Sequence, residues 1–176
     1  MRCDLYDVAV SLGSTMRDLS WSDMPCSEFV RLAIEKQIAM LRNDPSYRLP
    51  AAIGERVNMS DVPRGGLADL VERNDARIHG APGAIVQAGM GRMILDPEDA
   101  VRGDVVQWWR RTRGVWAGHA FVIDSVVVES SGLVYCKAYG SHRSLNGVGL
   151  HPQRFALDSD DRRRVWIARM DSERIT

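Results

Sequence analysis

The chain has 176 residues, 45% hydrophobic and 26% charged, the size and balance of one ordinary globular domain able to bury a core without disulfides. Lysine plus arginine and aspartate plus glutamate number 23 each, so the positive field of a nucleic-acid binder is missing and no nucleic-acid partner is expected. No apolar run reaches the length of a bilayer span or a signal-peptide core, so no membrane insertion is expected. The expectation is a soluble chain, cytoplasmic as synthesised, any export proceeding without a cleavable signal.

Leu5, Val8, Ala9 and Leu12 fall at helical spacing ahead of Gly13, which predicts a short first helix closed by a left-handed glycine. In Leu19-Ser20-Trp21-Ser22-Asp23-Met24-Pro25 the serines and Asp23 are candidate caps, and Pro25 suits a first turn. Cys26, Phe29, Val30, Ala33, Ile34, Ile38 and Leu41 then share one helical face until Asn43-Asp44-Pro45 ends the pattern. From Leu49 to Gly91 glycines and prolines interrupt every period except around Leu67 to Val71, so irregular connecting structure with one short helix is expected. Residues 104–109, 120–123, 133–139 and 165–168 are β-rich runs separated by turn residues and predict an antiparallel meander. Helices first and strands after is the α+β order, in a single domain over residues 1–176.

Cys3, Cys26 and Cys136 are an odd number without metal-ligand spacing, so neither a disulfide framework nor a metal or cofactor site is expected. Cys26 falls in the first turn of the second helix, where free N–H groups and the helix dipole favour a thiolate. A nucleophilic thiol needs a histidine as base and later as acid, and His119, on a β-rich run after Trp116-Ala117-Gly118, is the candidate. Taken alone, Cys26 also reads as a small core residue of an apolar helix face, and His119 as a strand histidine satisfied by a neighbour.

The sequence Trp21-Ser22-Asp23-Met24-Pro25-Cys26-Ser27-Glu28-Phe29-Val30 resembles the nucleophile motif of the NlpC/P60 family, in which Asp-Cys-Ser-Gly-Phe-Val follows a tryptophan or similar residue. Ala9-Val10-Ser11-Leu12-Gly13 is similar to the family's first helix and Leu49-Pro50 to its Leu-Pro. Val101-Arg102-Gly103-Asp104-Val105-Val106-Gln107-Trp108 resembles its Pro-Gly-Asp-Leu-Val-Phe-Phe strand, and Gly118-His119-Ala120-Phe121-Val122-Ile123 its Gly-His-Val-Gly-Ile-Tyr strand. The similarity runs from about Ala9 to Leu150. The departures are Pro25 in place of the acid before the cysteine, and Glu28 in place of a small residue.

The resemblance implies a papain-like NlpC/P60 fold, with N-terminal helices packed on an antiparallel β-sheet, and hydrolysis of an amide by Cys26 and His119. It also implies a polar third residue on the next strand. The expected register points to Lys137, which cannot accept a hydrogen bond from an imidazole. His142 is the nearest residue of the right type, with Ser141, Tyr139, a backbone carbonyl or a water as alternatives. The implied function is a bacterial peptidoglycan amidase or endopeptidase of the phage-lysis or secretion-effector type. Its partners would be a peptide or peptidoglycan stem peptide and an immunity or inhibitor protein. An intracellular cysteine peptidase or acyltransferase and a catalytically idle binding domain of the same fold are the alternatives.

Of the remaining features, Trp108, Trp109 and Trp116 flank the expected site and read as cleft wall or core. Arg110-Arg111-Thr112-Arg113 reads as a hairpin loop and Asp160-Asp161-Arg162-Arg163-Arg164 as a charged turn, and Arg64-Gly65-Gly66 is too short for a phosphate loop. His79 and His151 read as surface residues.

Overall fold

The computed structural model describes residues 4–60, 62 and 66–175. Cys3 and the Arg64-Gly65 pair lie outside them. The chain is α+β: the described residues hold five α-helices, α1 (Leu5–Ser14), α2 (Cys26–Leu41), α3 (Ala51–Asn58), α4 (Leu67–Glu72) and α5 (Gly80–Gln87), and seven strands. These are β1 (Gly91–Ile94), β2 (Val105–Thr112), β3 (Val115–Val128), β4 (Val134–His142), β5 (Gly147–Leu150), β6 (Phe155–Ala156) and β7 (Arg163–Met170). No helix among the described residues is long and apolar enough to cross a membrane.

The strands form one antiparallel sheet in the order β1-β7-β2-β3-β4-β5, with β6 also pairing to β4. The expected meander is present as β2-β3-β4. However, β7 returns to lie between β1 and β2 and is not the last strand of the run. Each face of the sheet covers a core. Ala120, Val122, Val105 and Ala168 meet Phe29, Val30, Ala33, Ile34 and Ile38 of α2 together with residues of α1, α3 and α5. On the other face Phe121, Ile123, Val106, Ala138 and Ile167 close on Phe155 and Leu157. Two-sided burial explains why β3 reads as a continuous apolar run rather than an alternation.

The segment before β1 corrects the expectation of irregular structure. It holds α3, α4, a 3-10 turn and α5, because its breakers sit where helices tolerate them. Pro50 precedes the first residue of α3, and Pro82 lies in the first turn of α5, where an N–H has no partner to lose. Gly13 is also corrected. It stays helical, and a Cβ there would collide with the Tyr139 hydroxyl and approach Val148 Cγ1 to 2.8 Å, so α1 needs glycine for contact with β4 and β5 and not for a turn. The left-handed pair of the β2–β3 hairpin is Arg113-Gly114, with φ of 49° and 81°, so Arg110 and Arg111 belong to the strand.

Candidate active site

Cys26 is the first residue of α2, as the periodicity requires, but the cap differs from the expected one. Pro25 occupies the N-cap without any side-chain bond, while Asp23 accepts from the Ser20 amide and hydroxyl in the preceding turn. The start of α2 is tied to the sheet instead: the Ser141 hydroxyl, fully buried on β4, donates to the Met24 carbonyl. Glu28 turns away from the cysteine, accepting from Arg31 at 2.5 and 2.8 Å and from Asn58 of α3 at 2.9 Å, which is why a charge is tolerated one turn into this helix.

β3 pairs with β4 only from Val122 onward, so the Ala120 amide is left free for another acceptor. It lies close enough to the Cys26 sulfur to act on it, along with the amides of Ser27 and Cys26 itself. The sulfur thereby lies beside the backbone of the residue that follows His119. These N–H groups favour a thiolate, yet burial outweighs them and pushes the thiol pKa up. Burial thus opposes the thiolate that the helix terminus alone favours. Cys136 is buried in the opposite core and pushed up to about 12, an inert thiol.

Side chains alternate across β4. Tyr139 faces α1 and α2, packing on Tyr6 and Phe29, and Ser141 is committed to Met24, so neither can orient His119. Lys137 is exposed. His142 lies on the same face as His119, with ring centroids 4.8 Å apart at a steep angle, but its Nδ1 accepts from the Ser144 amide at 3.1 Å and contacts the Ser144 hydroxyl at 2.7 Å. The ring nitrogen that meets His119 belongs to His151. The two Nε2 atoms are 3.4 Å apart, and both residues are buried, at 5% and 2% exposure. His151 is thus no surface residue. It directly follows β5, its amide donates to the Ala138 carbonyl at 2.8 Å, and Phe155 packs against its ring and against that of His119. His79 is also partly buried, stacked on Trp166.

Burial, then the nearby His151 and His142, hold the His119 pKa well below the ordinary imidazole value. His151 is lowered to about 4 by burial and by His142, and His142 is lowered by burial. All three shifts favour the neutral imidazole. Among the described residues no hydrogen bond joins Cys26 to His119. With Nε2 directed at His151, the nitrogen of His119 left for any other partner is Nδ1.

Gly118, just before His119, makes room for Trp109: a Cβ there would lie 2.5 to 2.7 Å from ring atoms of Trp109. Trp109 and Trp116 are core, packed with Leu70, Val71 and Ile78. Trp108 lies opposite His119 in the β2–β3 ladder, donates through Nε1 to the Ala156 carbonyl, and packs edge-on against Phe155. Trp108 and Phe155 wall a cavity of about 460 Å³ that also carries Arg110, Arg154, Arg162 and Arg163 against the single acid Asp160. A larger cavity of about 680 Å³ runs along the outer side of α2, lined by Leu12, Lys36 and Met40, and touches neither Cys26 nor His119. Comparison of the chain with models of known families, with curated proteins and with solved structures finds no match in any of the three.

Proposed function

We propose that the chain is a papain-like cysteine hydrolase of the NlpC/P60 and CHAP type, with Cys26 as nucleophile, His119 as base and His151 as the residue that orients the base. The observation that carries this reading is the seat of the Cys26 sulfur on the Ala120 amide, one residue from a buried histidine whose far nitrogen meets a second histidine. In this account the thiol proton passes to Nδ1 of His119 as sulfur attacks the carbonyl carbon. Because both groups rest neutral, proton transfer accompanies attack instead of preceding it. The amides of Ser27 and Ala120 are close enough to the sulfur to receive the developing oxyanion. The protonated His119 then hands its proton to the leaving amine, and water releases the acyl group from sulfur.

The substrate class we favour is a peptidoglycan stem peptide. Support comes from the cavity walled by Trp108 and Phe155, whose lining carries four arginines and one aspartate and suits a peptide bearing free carboxyl groups. Digestion of purified peptidoglycan, with mass analysis of the released fragments, tests the proposal: the wild-type protein should release stem-peptide products, and Cys26→Ala should release none. Products from Cys26→Ala at the wild-type rate would contradict it. The raised thiol pKa favours one second reading, an idle binding domain, for which the wild-type protein would bind peptidoglycan and release nothing.

A further inference from the structure

We propose that His119, His142 and His151 form a binding site for a divalent transition metal of the zinc type, with three imidazole ligands and a fourth position open. The ligands come from three separate segments, the middle of β3, the end of β4 and the residue after β5, so no short-range spacing announces them. One ligand nitrogen from each lies within 4.8 Å of the others, and among the described residues this is the one such group of three or more donors.

Three features distinguish the cluster from a chance meeting of rings. The Nε2 atoms of His119 and His151 are 3.4 Å apart, long for a hydrogen bond. A tetrahedral zinc with Zn–N bonds of about 2.0–2.1 Å holds its nitrogens about 3.3–3.4 Å apart, which matches. Next, His151 is buried and its Nδ1 has no partner, so no hydrogen bond there fixes the tautomer and Nε2 can present a lone pair to an ion. Finally, His142 can be recruited. Its Nδ1 accepts from the Ser144 amide at 3.1 Å, so ligation through Nε2 moves the proton to Nδ1, where the Ser144 hydroxyl at 2.7 Å can accept it and orient the ring. His142 is only partly buried at a strand end, so it is the ligand with freedom to close on an ion. The donors are nitrogen alone, without a carboxylate, which suits zinc, cobalt, nickel or copper and not calcium or magnesium.

On the hydrolase reading, an ion bound here fixes the His119 ring by Nε2 and takes His151 away from it, so metal loading inhibits thiol chemistry. The test does not use activity. Chelator-treated full-length protein is titrated with Co²⁺, following the visible absorption of tetrahedral cobalt, and with Zn²⁺ by calorimetry. The expected result is one ion per chain, with binding weakened at least tenfold in His142→Ala and lost in His151→Ala. Ser144→Ala should weaken it by about tenfold as a support removed from a ligand. Circular dichroism confirms that each variant is folded, and His142→Ala, at a partly exposed position, keeps the test decisive if His151→Ala unfolds. Absence of tetrahedral cobalt absorption, or equal affinity in wild type and folded His142→Ala, overturns the site. So does a sulfur-to-cobalt charge-transfer band that Cys26→Ala removes. Because binding is read from a spectrum, failure here is distinguishable from failure of the hydrolase reading.

Discussion

Burial governs the chemistry of Cys26. Three amides act on its sulfur in the direction of a thiolate, as a helix terminus should, and desolvation still prevails. Iodoacetamide labelling should therefore accelerate with pH through and above the ordinary thiol range, with Cys26 labelled ahead of Cys136. A flat labelling rate from pH 5 to 9 would mean a preformed thiolate and imidazolium. His151 is the second residue whose role follows from its surroundings. If it holds the His119 ring, His151→Ala should lower kcat by about 10²-fold with KM nearly unchanged, and His151→Asn, which can still meet Nε2, should recover part of the loss. Equal kcat in wild type and His151→Ala would remove it from the site. The placement of Cys26 at a helix start and of His119 on a strand was legible in the sequence because short patterned runs surround them. His151 was not, since it follows a four-residue strand that has no periodicity to read and meets His119 only through the sheet. His142 was the expected partner on residue type and strand position; both put it beside His119, but its Nδ1 is engaged by Ser144.

At the scale of elements, the start of α2 is held by one buried bond, from the Ser141 hydroxyl to the Met24 carbonyl, and not by a side-chain cap. Ser141→Ala should cost about 1–3 kcal/mol, the penalty of a buried carbonyl left unpaired, and should reduce turnover because Cys26 is two residues from the freed carbonyl. Denaturant melts and peptidoglycan digestion read the two effects; unchanged stability would show that another group anchors α2. The helices α1 and α2 are long enough to display their period, and the strands β2, β3, β4 and β7 contain β-rich runs bounded by turn residues, so they were legible. The helices α3 and α5 were hidden by Gly54, Pro82 and Gly83, residues whose cost is offset by packing of Val57, Ala81, Ala84 and Ile85 against α2 and the sheet. The place of β7 between β1 and β2 could not be read because pairing partners far apart in sequence leave no local trace.

For the whole molecule, the histidine cluster links stability to pH. His119 and His151 have folded-state pKa values below the ordinary one, so on acidification the unfolded chain takes up protons first and stability falls as pH drops below about 6.5. For His151 that loss runs down to about pH 4. Melting temperatures measured from pH 8 to 4 should decline across this window, and the decline should be shallower in folded His151→Ala; an identical slope would assign it to other groups. The same sheet gathers the rings of β3, β4 and the residue after β5, and the start of the helix that carries Cys26 comes against the backbone of Ala120, the residue after His119. The most direct test of that arrangement is single-turnover hydrolysis of a released stem peptide by wild type, Cys26→Ala, His119→Ala and the double variant, each confirmed as folded. If the two residues act as one unit, either single change removes nearly all activity and the double is little worse. A folded Cys26→Ala protein with wild-type turnover, or losses that multiply in the double variant, would contradict it.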